Sequence, residues 1–220
     1  MNLDPNGIFK YNQLKRVISP KWSCNVNSIC CAYEIRNQSD KCWDFCKNYH
    51  TEYTSPADKF MYFLRHESMI LEIYKFINPK EYNKWIKDET KDKDLYSDNS
   101  IPPNEVLKIL CIGFNLFVNM SNGDNYISVC ELKELSMKEI YDYIIHDRIP
   151  LVASFDLNHY GHIMTICGGD TNHIFVEDSY GMSYLKEHKE DGKSKIIPIT
   201  EFKHICKPMD VDKKLCIIFK

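Results

Sequence analysis

The hydrophobic positions of this chain change their period part-way along it. In the first half they recur every three or four residues, the spacing of a helix face. In the second half they gather in short runs typical of strands. The clearest helical pattern follows Pro102-Pro103, where Leu107, Leu110, Cys111, Phe114 and Val118 fall on one face. Earlier, Ser55-Pro56 reads as the N-cap and first position of a helix carrying Phe60, Phe63 and Leu64. Asn78-Pro79 repeats that signature ahead of Tyr82, Trp85 and Ile86. Cys24 opens another predicted helix, reaching to about Ile35, with Ser23 as its N-cap. A further helical segment covers Cys42 to Tyr49, and a short strand Gly7 to Tyr11. Ser136 and Glu139 have capping-box spacing in front of the stripe Ile140, Tyr143, Ile144.

After Pro150 the runs "LVASF", "HIMTICGG", "HIFVEDS", "KIIPI" and "KLCIIF" read as strands, the second and third joined by a turn at Gly168-Gly169-Asp170. Helices first and an antiparallel sheet later is an α+β pattern. Residues 87–100, "KDETKDKDLYSDNS", read as an exposed charged loop, and "SNGDN" as a turn. There is no internal repeat and no linker rich in Gly, Ser or Pro. The expectation is a single domain over residues 1–220, with a helical N-terminal half packed as one layer on a C-terminal sheet.

Composition narrows the partners. The net charge of −3 supplies no electrostatic reason to expect a nucleic acid or an anionic membrane surface. The N-terminus "MNLDPNGIFKYNQ" lacks a basic segment followed by an apolar run, so no signal peptide is expected. The longest apolar stretch, Ile109 to Val118, falls short of the roughly 20 residues that span a bilayer. A soluble protein made in a cytoplasm, without stable membrane insertion, follows as the expectation, and the oligomeric state stays open. The ten cysteines then read as reduced thiols rather than a disulfide framework. Most lie in apolar runs, as Cys111, Cys167 and Cys216 do, and a free cysteine is usually a small buried hydrophobe. Cys42, Cys46 and His50 share a helical face but lack the second arm of a zinc site, so no metal or cofactor is expected.

One cysteine stands apart. Cys24, in "WSCNVNS", sits at a predicted helix start, where free N–H groups and the helix dipole favour a thiolate. Its own N–H is placed to help stabilise an oxyanion. A cysteine nucleophile also needs a histidine, held by a third polar group. His162 introduces the strand "IMTIC" and Asp178 ends the next one. A turn centred on Gly169 to Asn172 places His162 opposite Ser179, beside Asp178, and a one-residue bulge would set it opposite Asp178 itself. Each residue has a plainer reading, as a buried thiol, a sheet histidine and a turn aspartate. The ordered set of three is what points to catalysis.

The blocks "CNVNSICCAYE", "GHIMTICGGD" and "IFVEDSYG" resemble the three motif blocks of the double-glycine, bacteriocin-processing cysteine peptidases of the papain-like superfamily. "IPLVASF" resembles the strand that precedes the family's histidine block. The interval from Cys24 to His162 lies within the about 130–150 residues seen in papain-like enzymes. Asn27 stands where the family usually has Thr, and Ser179 where it has Pro. The resemblance implies a papain-like fold, with Cys24 as nucleophile, His162 as base and then acid, Asp178 orienting the imidazole, and Gln13 donating to the oxyanion. Trp22 beside the nucleophile, and Asn158, His159 and Tyr160 beside His162, are candidates to line the cleft by adjacency in sequence. Stand-alone members with a similar cysteine block resemble phage endolysins, which cut peptide or amide bonds of peptidoglycan. That implies release through a holin and action on the cell wall. A protein-processing peptidase, or a binding module that keeps the fold without catalysis, are the alternatives.

Overall fold

The computed structural model describes residues 23–37, 56–88, 90, 101–120, 126–147, 149–157, 160–177, 195–205 and 213–220. Gln13, Trp22, Asn158, His159 and Asp178 lie outside them. So do the strand expected at Gly7 to Tyr11, the helix at Cys42 to Tyr49 with its Cys and His, the "SNGDN" turn, and most of residues 87–100.

Five helices come first: α1 (Ser23–Asn37), α2 (Pro56–His66), α3 (Met69–Ile77), α4 (Pro79–Lys87) and α5 (Pro103–Asn119). The start of α4 follows its cap chemistry. The Asn78 side chain accepts from the N–H of Glu81, with Pro79 as first helical residue. The face expected on α5 is the buried one: Leu107, Leu110, Cys111, Phe114 and Val118 all point inward. They pack with Phe60, Phe63 and Leu64 of α2, Phe60 meeting Phe114 edge-on at 5.2 Å between ring centroids.

Strand β1 (Cys130–Leu135) leads into α6 (Met137–Ile145), β2 (Leu151–Leu157), β3 (Tyr160–Gly169), β4 (His173–Glu177), β5 (Lys195–Pro198), α7 (Ile199–Ile205) and β6 (Lys214–Phe219). The capping box on α6 is complete, with Ser136 Oγ accepting from the Glu139 N–H and the Ser136 N–H donating to Glu139 Oε2 at 2.8 Å. The six strands form one sheet in the order β1-β6-β2-β3-β4-β5, antiparallel at every pairing. The architecture is α+β.

The sheet is covered on both faces, where a single helical layer was expected. Val152, Ile163, Ile217 and Phe219 join the core of α1 to α5. Ala153, Met164, Ile166 and Ile218 join Ile140 and Ile144 of α6 and Phe202 of α7. The cause is visible in the strands. Successive side chains alternate faces, and here both sets are apolar, so each face needs a cover. A sheet with one solvated face would have shown alternate polar residues.

Asn115 fastens the helical layer to the sheet edge. Buried on α5, its Nδ2 donates to the carbonyls of Cys111 at 3.0 Å and Cys130 at 2.9 Å. Its Oδ1 accepts from the N–H of Val129 at 2.8 Å. The Cys111 and Cys130 sulfurs lie 3.7 Å apart as thiols beside it.

Candidate functional site

Helix α1 begins at Ser23, one residue earlier than expected, so Cys24 is its second residue. The N–H of Cys24 is then among the first four, which have no partner within the helix. Cys24 keeps 8 % of its surface exposed, against 0 % for Cys30 and Cys31 of the same helix. Of these three residues, only Cys24 keeps any exposed surface.

The helix lies on β3, the strand that carries His162. Ser28 Oγ donates to the carbonyl of Ile163 at 3.0 Å, and Thr165 Oγ1 donates to the carbonyl of Ser28 at 2.8 Å. Ser28 is one helical turn from Cys24, about 6 Å along the axis. Ile163 directly follows His162. Further along the helix Cys31 acts on Cys167, further along the strand, so the two run in the same direction and their starts lie at the same end of the contact.

His162 is buried, at 3 % exposure, and pairs with Phe155 across the β2–β3 ladder. That ladder runs without a bulge from Leu151↔Ile166 to Leu157↔Tyr160. Ile163 and Thr165 face α1, and Met164 and Ile166 face α6. By strict alternation His162 shares the parity of Met164. That parity turns the imidazole to the α6 side of the sheet, whereas Cys24 belongs to the helix on the other face.

The β3–β4 hairpin turns one residue later than expected, with Gly169↔Ile174 and Gly168↔Phe175 as its first pairs. A bulge occurs between Ile166 and Gly168, but the ladder beyond it pairs Thr165 with Glu177, whereas His162 opposite Asp178 would need Thr165 opposite Phe175. Asp178 follows outside the described residues. Tyr160 pairs with Leu157 at the start of β3.

Glu177 was missed by sequence reasoning. It is fully buried opposite Thr165, on the α1 side of the sheet. It contributes to holding the Cys167 thiol well above its ordinary range: burial acts most, then the negative charge of Glu177, then Cys31. The available signal was a carboxylate inside "IFVE", a run otherwise apolar, where an acidic side chain has no solvated face to occupy.

Among the described residues there is no cluster of three or more His, Cys, Asp or Glu able to hold a metal ion, and no helix long and apolar enough to cross a membrane. Comparison with family models, with curated proteins and with solved structures returns no match.

Proposed function

We propose that the protein is a cysteine peptidase or amidase, and that its substrate is bacterial peptidoglycan, opened in the manner of a phage endolysin. In this reading the Cys24 thiol passes its proton to His162 and the sulfur attacks the scissile carbonyl carbon. Gln13 and the Cys24 N–H hold the oxyanion. The C–N bond breaks as His162 returns the proton to the leaving amine, and water then hydrolyses the thioester. Asp178 orients the imidazole and favours its cation. What supports the reading is the contact of Ser28 with Ile163, one turn from a helix-start cysteine and one residue from a buried histidine.

The strand parity of His162 favours a second reading, a binding module on the same fold that has no catalytic pair. Incubation with purified peptidoglycan and with unfolded protein, followed by mass analysis of the products, separates the possibilities. Muropeptides from the first substrate are the expected result. Cleavage of unfolded protein alone would point to a protein-processing peptidase. No product from either, with no preferential alkylation of Cys24, would leave the binding module.

A further inference from the structure

Two buried hydrogen bonds join Ser28 of α1 to β3, one to the carbonyl of Ile163 and one from the hydroxyl of Thr165. Ser28 uses its hydroxyl as donor and its carbonyl as acceptor. Both residues are 0 % exposed, so neither bond can be exchanged for water. The two bonds meet β3 at different heights, at Ile163 and at the Thr165 side chain. Together they restrain sliding of the helix along the strand and rotation about its own axis. Apolar packing alone would do neither well, because dispersion contacts are non-directional. The hydroxyls also occupy positions where a hydrophobic pair would fill the space. Thr165 lies among the apolar Ile163, Met164 and Ile166.

We infer that Ser28 and Thr165 are positioning residues that fix the height and rotation of the Cys24 helix end against the strand bearing His162. The inference rests on the Cys24–His162 reading above. Cys24 and Ser28 are separated by four residues and so share a helix face. Any slip at Ser28 is passed rigidly to Cys24. A displacement of about 1 Å between reacting groups can cost roughly a hundredfold in rate.

The test is the rate of Cys24 alkylation by iodoacetamide at pH 7, followed by peptide mass spectrometry, with Cys30 and Cys31 as internal controls. Thr165→Val removes the hydroxyl and keeps the shape. Thr165→Ser keeps the hydroxyl and removes a methyl group. Positioning predicts that Thr165→Val and Ser28→Ala slow Cys24 labelling towards about a hundredfold, while Thr165→Ser stays near wild type. A packing role predicts the reverse order, with Thr165→Ser the more damaging, and that order would overturn the inference. Equal rates in all four proteins would overturn it too. If Thr165→Val folds poorly, labelling of Cys30 and Cys31 rises in parallel, and Ser28→Ala with Thr165→Ser then carries the comparison. Failure of the underlying reading looks different: wild-type Cys24 would label no faster than Cys30 and Cys31, and both proposals would fall together.

Discussion

Ser28 Oγ lies 3.0 Å from the carbonyl oxygen of Ile163, across a gap of 135 residues in sequence. That bond ties the first turns of α1 to the strand that begins at Tyr160. It brings the two sequence blocks singled out for catalysis into one neighbourhood, although each lies in a different half of the chain. The same neighbourhood sets a condition on catalysis, since the imidazole of His162 has to reach the α1 side of its strand.

The stability of the α5–β1 junction depends on Asn115. Replacing it with Ala leaves the N–H of Val129 and the carbonyls of Cys111 and Cys130 without their side-chain partner in a buried site. Asn115→Ala should destabilise the fold by about 3 kcal/mol, read as a lower midpoint in urea. Asn115→Asp should be worse, because it loses both donors and buries a charge.

The β3–β4 turn tolerates no side chain at position 169. A Cβ there would sit 2.7 Å from the carbonyl oxygen of His173, which itself accepts from the N–H of Asp170 at 2.9 Å. The obstacle is main chain and cannot rotate away. Gly169→Ala should cost about 1–3 kcal/mol in a urea titration.

Stability should fall at both ends of the pH range. Asp170 is held below the usual carboxylate range, chiefly by the N–H of Asn172 and then by His173, and Glu139 likewise by Ser136. A depressed folded pKa means that the unfolded chain takes up protons first. This stability is present above about pH 4 and is lost as pH falls through the folded values. Asp170→Asn should make the acid limb of a thermal-melt series shallower. On the alkaline side, burial pushes the Cys216 thiol up to about 12. The unfolded thiol ionises near pH 8.5, so stability is complete below that point and declines as pH rises towards 12. Cys216→Ala should flatten that limb.

Much of the fold was legible because local rules and the packing agree. The Asn78-Pro79 cap, the Ser136–Glu139 box and the apolar stripe of α5 all appear where their spacing predicts them. The second helical layer was less legible. It required noticing that β2, β3 and β6 are apolar on both parities, which short runs such as "LVASF" conceal within an ordinary strand signal. The site divides in the same way. Cys24 at a helix start follows from local sequence, whereas the face on which His162 emerges depends on strand parity at Ile163. That parity is set by how α1 docks, not by the histidine block itself. Glu177 escaped notice because a carboxylate at a strand end looks like a turn residue until its partner strand is known.

Alkylation of the native protein by iodoacetamide, resolved cysteine by cysteine, tests the Cys24–His162 pair most directly. Wild-type Cys24 should label well ahead of the other thiols at pH 7. His162→Ala should slow it by about a hundredfold or more, the scale of a lost general base. In parallel, Cys24→Ala should abolish turnover while the fold remains intact. Cys24 labelling that is no faster than its neighbours, and indifferent to His162→Ala, would contradict the pairing and leave a binding module.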